Sequence, residues 1–217
     1  MSEFATRRVM MVDTQVRPSD VTKFPIIDAM LTVPRETYVP DNKREAAYMG
    51  ENLALAPGRV VLEARTMAKL LDALDVQPKE LVLDVGCGLG YSAAVIARLA
   101  ETVVALEEDE LLAAEAQRLL SEEGVDNAVV VTGKLSEGSV KCAPYDVITI
   151  EGGVEQVPDA ILAQLKDGGR IGAIFMEGAV GTARVGYKAG GKVTWRSMFN
   201  ASAPVLAGFR TSRGFTL

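Results

Sequence analysis

The chain of 217 residues contains no histidine. That removes both the commonest general base near neutral pH and the commonest metal ligand, so no metal site is expected. Cysteine is scarce. Cys87 and Cys142 are too few for a disulfide framework or a thiolate cluster. Positive charge is in deficit, with 23 basic against 29 acidic residues and a net charge of −6. A nucleic-acid face needs clustered positive charge, so no nucleic-acid partner is expected. Long apolar runs are missing, which argues against a membrane span. The opening residues MSEFATRRVMMVDTQ mix acid and base without a signal-type core, so the expected location is the cytoplasm. What the chain does have is ample core material, 48% hydrophobic residues, enough for one domain of ordinary size. Oligomeric state leaves no mark on the sequence.

The most informative stretch is LVLDVGCGLGY, Leu81 to Tyr91: an apolar strand running into a loop in which Gly86, Gly88 and Gly90 alternate. Glycines so placed keep side chains away from a ligand that approaches the backbone. A helix over Ser92 to Ala100 follows. The next strand, Thr102 to Glu107, ends in an acid 21 residues after Gly86, the spacing that sets a carboxylate against a ribose diol in Rossmann-type folds.

Around this stretch the pattern predicts a helix over Phe4 to Val16 with Val9, Val12 and Val16 on one face, and a second carrying Ile26, Ile27, Met30 and Leu31. The segment Val33 to Pro40, bracketed by prolines, reads as extended. A short helix over 41–48 and a loop around Gly50 and Pro57 follow, then an amphipathic helix from Ala64 to Leu74. Further strands are expected at Asn127–Thr132, Asp146–Ile150 and Arg170–Met176, with a helix over Val157–Leu165 before the last. Continuous apolar strands alternating with helices imply a doubly wound, mostly parallel α/β sheet of Rossmann-like type. Thr182–Tyr187 and Lys192–Phe199 flank Ala189-Gly190-Gly191 and read as an antiparallel hairpin, with Ala203–Arg210 as a last strand. The expected organisation is one domain: a helical cap over 1–76, a binding core over 77–180, and the hairpin and strand over 181–217.

The loop leaves two cofactors to weigh. A dinucleotide motif wants its third glycine at the sixth position of G-x-G-x-x-G, which here is Tyr91. The pattern D-x-G-x-G-x-G, beginning at Asp84, instead resembles the first motif of class I S-adenosylmethionine (SAM) methyltransferases. Beyond that loop, the chain resembles the protein-L-isoaspartate O-methyltransferase family over nearly its whole length. The resemblance rests on VPRETYVP (Val33 to Pro40), the pair Ala47-Tyr48, LDVGCGLGYSAA, Ala143-Pro144-Tyr145-Asp146 and QLKDGGR (Gln164 to Arg170). It implies a class I methyltransferase fold, SAM as cofactor with S-adenosylhomocysteine as product, and a protein or peptide substrate bearing isoaspartyl residues.

On that resemblance the cofactor contacts are Asp84, Gly86, Cys87, Gly88, Gly90, Tyr91, Glu107, Glu108, Gly133, Lys134 and Leu135. Cys87 reads as a small packing residue, and Asp84 as either an orienter of the loop or a partner of the cofactor's ammonium. Glu108 reads equally as a solvated helix start, and Lys134 as a solvated side chain. The family's Thr-Ile-Ser-x-Pro substrate element falls on Val60, Val61, Leu62, Glu63 and Ala64, so serine becomes leucine. The family's Gly-Asp pair becomes Gly133-Lys134. Leu62, Glu63 and Glu151 are the candidates for the substrate pocket, although either acid could be a solvated surface charge. No catalytic base is assigned. Methyl transfer to a carboxylate needs none, because the acceptor is already charged. The alternative is a divergent SAM-binding protein with another methyl acceptor or a non-catalytic regulatory role.

Overall fold

Runs of β-branched and aliphatic residues build the centre of the molecule. In the computed structural model, which describes residues 3–211, β3 (Leu81–Val85), β4 (Thr102–Glu107), β5 (Ala128–Thr132), β6 (Tyr145–Val154) and β7 (Leu165–Glu177) lie parallel, and β8 (Val180–Ala189) and β9 (Lys192–Asn200) are added antiparallel. The sheet order is β5-β4-β3-β6-β7-β8-β9. This is the doubly wound sheet that the strand–helix alternation predicts, with the C-terminal hairpin turning at Gly190-Gly191. Alternate side chains serve two cores. Val82, Val103, Ala105 and Val147 join the cluster formed with the N-terminal helices. Leu83, Val85, Val104, Leu106 and Ile150 point into the other, with Ile161 and Phe209.

The helices follow from their local chemistry. α1 (Glu3–Met11) and α2 (Phe24–Thr32) precede α3 (Ala64–Leu74), whose Leu70 and Leu74 lie against the β7 backbone at Gly172. Pro25 sits in the first turn of α2, where its missing N–H costs nothing, and Pro34 holds Val33 extended and ends the helix. After β3 comes α4 (Tyr91–Ala97), started by Gly90 in the left-handed region. α5 (Glu110–Glu122) follows β4, capped by the Asp109 carboxylate, which accepts from the N–H groups of Leu111 and Leu112. α6 (Asp159–Ala163) precedes β7.

Four expectations are corrected. The first helix does not run regularly to Val16: Val12–Val16 form a π-type turn, which rotates Val12 and Val16 fully inside and leaves Val9 40% exposed. Val33 to Pro40 is not extended throughout. The two prolines fix extended flanks, but Arg35–Tyr38 wind into a 3₁₀ turn closed by Thr37 N–H donating to the Pro34 carbonyl (3.0 Å), which buries Arg35 and Tyr38. The loop around Pro57 contains a small antiparallel hairpin, β1 (Leu53–Ala56) and β2 (Arg59–Val61), turning at Pro57-Gly58. Last, Ala203–Arg210 is not a strand of the sheet, because β8 and β9 already extend that edge. It crosses β6 near its carboxyl end, where Gly153 N–H donates to the Pro204 carbonyl (2.8 Å) and Leu206 N–H donates to the Gly153 carbonyl (2.9 Å). No helix among the described residues is long and apolar enough to cross a membrane.

Candidate functional site

The strand order reverses at β3, between β4 and β6, and ligands of open α/β sheets bind beyond the carboxyl ends of the strands at such a switch. Here the loop after β3 has Gly86, Gly88 and Gly90 all at positive φ (85°, 59° and 97°), a path that side chains disfavour. Glu107, ending β4, is fully buried. Its Oε2 accepts from Gly88 N–H (2.8 Å), and its Oε1 from the N–H groups of Glu108 (2.8 Å) and Asp109 (3.1 Å). The acid thus stitches the glycine loop to the start of α5. The loop backbone and Glu107 are the groups able to hold a nucleoside.

A fourth partner of Glu107 has no counterpart in the sequence pattern. Arg59 donates through Nη1 and Nη2 to Oε1 and Oε2, both at 2.6 Å, with only 12% of its side chain exposed. The two residues are 48 positions apart, and no periodicity links them. The run Pro57-Gly58-Arg59-Val60-Val61 carries a turn followed by β-branched residues, the one local signal for the hairpin that delivers the arginine.

The remaining predicted contacts divide into three groups. Asp84 is wholly buried. One oxygen accepts from Ser92 Oγ (2.6 Å) and the other, Oδ1, has no partner among the described residues. Burial, reinforced by the nearby Glu151 carboxylate, pushes its proton affinity well above the ordinary aspartate range. Cys87 is buried too, which drives its thiol well above its usual pKa and makes it unreactive. Around the base of the loop, Leu62, Met67, Gly86, Cys87, Tyr91 and Glu151 enclose a cavity of about 10 Å³, so two of the three predicted substrate-pocket residues meet there with three predicted cofactor residues. Burial raises Glu151 to about 7, against the pull of the hydrogen bond from Thr149 (3.0 Å) and the charge of Arg35. Glu63 is not among those walls. It stands at the start of α3 without accepting from the helix's backbone N–H groups; its carboxylate accepts from Thr66 Oγ1 (2.5 Å) and lies 3.7 Å from Arg65.

Above the loop, Leu135 packs against Gly86, Glu108 Oε2 accepts from Leu135 N–H (3.2 Å), and Gly133 N–H donates to the Glu107 carbonyl (2.9 Å). Lys134 faces solvent with Glu137 (3.0 Å). One more buried group escaped the sequence reading. Arg35, inside the Val33 to Pro40 element, is fully buried, donating to the carbonyls of Ala47 (2.7 Å) and Leu62 (2.8 Å) with its guanidinium 4.7 Å from the Tyr91 ring centre. Among the described residues, its Nη1 and the Tyr91 hydroxyl have no hydrogen-bond partner.

A parallel sheet with this order, a glycine loop after its central strand and an acid at the end of the next define a Rossmann-like protein of the class I methyltransferase type. The comparisons carry this to a family. Residues 8–181 match the family model described as "Protein-L-isoaspartate(D-aspartate) O-methyltransferase (PCMT)", and the chain belongs to that family. It is 36% identical over 171 residues to a protein-L-isoaspartate O-methyltransferase of Koribacter versatilis, covering 79% of this chain and 77% of that one. It is 33% identical to one from Syntrophus aciditrophicus over 79% and 78%. A solved protein-L-isoaspartate O-methyltransferase superposes with a TM-score of 0.81 at 24% identity over 93% of this chain and 66% of that chain. A second, from Plasmodium falciparum with S-adenosyl-L-homocysteine bound, gives 0.78 at 16% identity over 95% and 99%. At those identities the superpositions speak for the fold.

Proposed function

We propose that this chain is a SAM-dependent methyltransferase that esterifies a carboxylate of a protein or peptide, the isoaspartyl side chain first among them. The observation that carries this reading is Glu107, a fully buried carboxylate beside the bare backbone of the Gly86–Gly90 loop, in a chain of the isoaspartate methyltransferase family. The donor set suits a ribonucleoside: a carboxylate at the end of the second core strand takes the two ribose hydroxyls, and the loop admits a close ligand. The space is held by the chain's own side chains. Leu55 Cδ1 stands 2.5 Å from where a β-carbon on Gly88 would be, and Arg59 already occupies Glu107. The residues fit the group once the β1–β2 hairpin withdraws.

When bound, SAM supplies an electrophilic methyl group, which passes to a carboxylate oxygen as the carbon–sulfur bond breaks. The protein's own part is positioning and exclusion of water. Glu107 would hold the ribose, while Leu62, Met67 and the Tyr91 ring would wall the acceptor side from solvent. Orientation and desolvation together are worth up to several kcal/mol. Glu151, its proton retained by burial to about pH 7, would offer the acceptor a hydrogen bond rather than a repelling charge, and the buried Arg35 adds positive potential. The reading includes a role in protein repair in the cytoplasm.

The test is incubation with labelled SAM and an isoaspartyl peptide. A base-labile methyl ester is the expected product. One observation favours a second reading, a different methyl acceptor: Leu62, at the serine position of the substrate element, presents an apolar wall that cannot donate a hydrogen bond. Retained S-adenosylhomocysteine binding with no ester on isoaspartyl peptide would select it.

A further inference from the structure

Glu107 is saturated. Five N–H groups converge on its two oxygens, and the two shortest contacts, both 2.6 Å, come from the Arg59 guanidinium. The three backbone donors belong to the loop and the start of α5, so they remain whatever binds. The two arginine donors occupy the directions that a pair of ribose hydroxyls would need, since a guanidinium fork and a vicinal diol both present two near-parallel donors to one carboxylate. Both cannot be there at once.

The hairpin occupies the rest of the same place. Arg59 Nη2 lies 3.3 Å from a β-carbon position on Gly86, and Leu55 fills the space over Gly88. About 10 Å³ remains below, room for one water, where ligand pockets need roughly 300 Å³ or more. The hairpin is also short, anchored in the core at its two ends by Leu53 and Val61. Its strands have four and three residues, and Pro57 and Gly58 at the turn are exposed. Its polar tethers to the rest of the chain include Lys43 Nζ to the Ala54 carbonyl (2.6 Å) and the neighbouring Asn52 Nδ2 to the Ser202 carbonyl (2.8 Å). Outside the turn lies an open groove of about 590 Å³ bordered by Pro57, Arg59, Glu108, Asp109 and Arg210. A guanidinium leaving Glu107 for that groove meets two further carboxylates, so it need not become an unpaired charge.

We infer that Arg59 is an internal competitor for the cofactor site: it holds the Glu107 carboxylate in place of a ribose diol, and a nucleoside binds only by exchanging with it and displacing the β1–β2 hairpin. This rests on the SAM reading of the site. The closed form then lowers the apparent affinity by the fraction of molecules that are open, and removing the arginine restores it. Arg59 is therefore an affinity-setting residue. Leu55 is its apolar counterpart.

The test is calorimetric titration of the full chain with S-adenosylhomocysteine, paired with amide hydrogen exchange over residues 53–61. Arg59→Ala is expected to bind at least tenfold more tightly than wild type. Amides of 53–61 should be protected in the free wild type, should lose that protection as ligand is added, and should lack it from the start in the variant. If Arg59→Ala does not fold, Arg59→Lys and Leu55→Ala apply the same test, each several-fold tighter. Equal or weaker binding by the variants, with wild-type binding intact, overturns the competition and leaves the SAM reading standing. No binding by wild type or any variant overturns the SAM reading, and the competition with it.

Discussion

The floor of the site and its cover are built from different materials. The floor is the end of a parallel sheet, with β3, its glycine loop and Glu107 at the close of β4, all buried and held by ladder hydrogen bonds on both sides. The cover is two short pieces of chain, the β1–β2 hairpin and residues 203–210, outside the seven-stranded sheet. Strands inside a sheet cannot shift without breaking many bonds at once, whereas a nine-residue hairpin can open with few. The groups proposed to recognise the cofactor therefore sit in the sheet, and the side chains proposed to block them sit on a short hairpin outside it.

Substitutions in the floor should break this contrast most severely. Glu107→Ala removes the shared acceptor of loop, α5 start and Arg59 and leaves the backbone N–H groups of Gly88, Glu108 and Asp109 without it. It should cost about 3–5 kcal/mol in urea unfolding and abolish S-adenosylhomocysteine binding by calorimetry. Next is the pH dependence of Glu151. Its folded-state affinity for a proton exceeds that of the unfolded chain, so its contribution is full below about pH 4.5 and is lost as pH rises through about 7. Wild type should lose up to about 3 kcal/mol across that window from this group, and the unfolding midpoint of Glu151→Gln should be the flatter of the two against pH. Gly88→Ala tests where floor and cover touch. A side chain at φ 59° that also meets Leu55 should destabilise by about 1–3 kcal/mol, and a second substitution, Leu55→Ala, should recover part of the loss in a denaturation cycle. At the small end, Lys134→Ala, outside both layers and paired with an exposed Glu137, should leave the affinity for S-adenosylhomocysteine unchanged.

The same division explains what the sequence reveals. β3, β4 and α3 have the bounds their apolar runs predict, because each pattern is long, uninterrupted and bounded by glycine, proline or charge. The place of Glu107 at the close of β4 is legible from its distance to Gly86, since a strand–helix–strand unit has a nearly fixed length. The cover is not. Strands of three and four residues have too few positions to show alternation, and the sequence over 203–210 is as consistent with an edge strand as with the crossing path it takes. Arg59 and Arg35 were out of reach for a different reason. Arginine usually signals an exposed face, and only long-range packing against Glu107 in one case and Tyr91 in the other makes burial affordable. Glu63 shows the converse: a charge inside the substrate element, engaged by Thr66 and Arg65 at the start of α3.

The outermost strand has a bearing on how the molecule can be watched. Trp195, the single tryptophan of the chain, lies on β9 with its ring edge-on to Phe175, 4.7 Å between centres, at the opposite margin of the sheet from β5. Its emission therefore reports whether the final hairpin is docked, and should stay constant while a nucleoside displaces Arg59 several strands away.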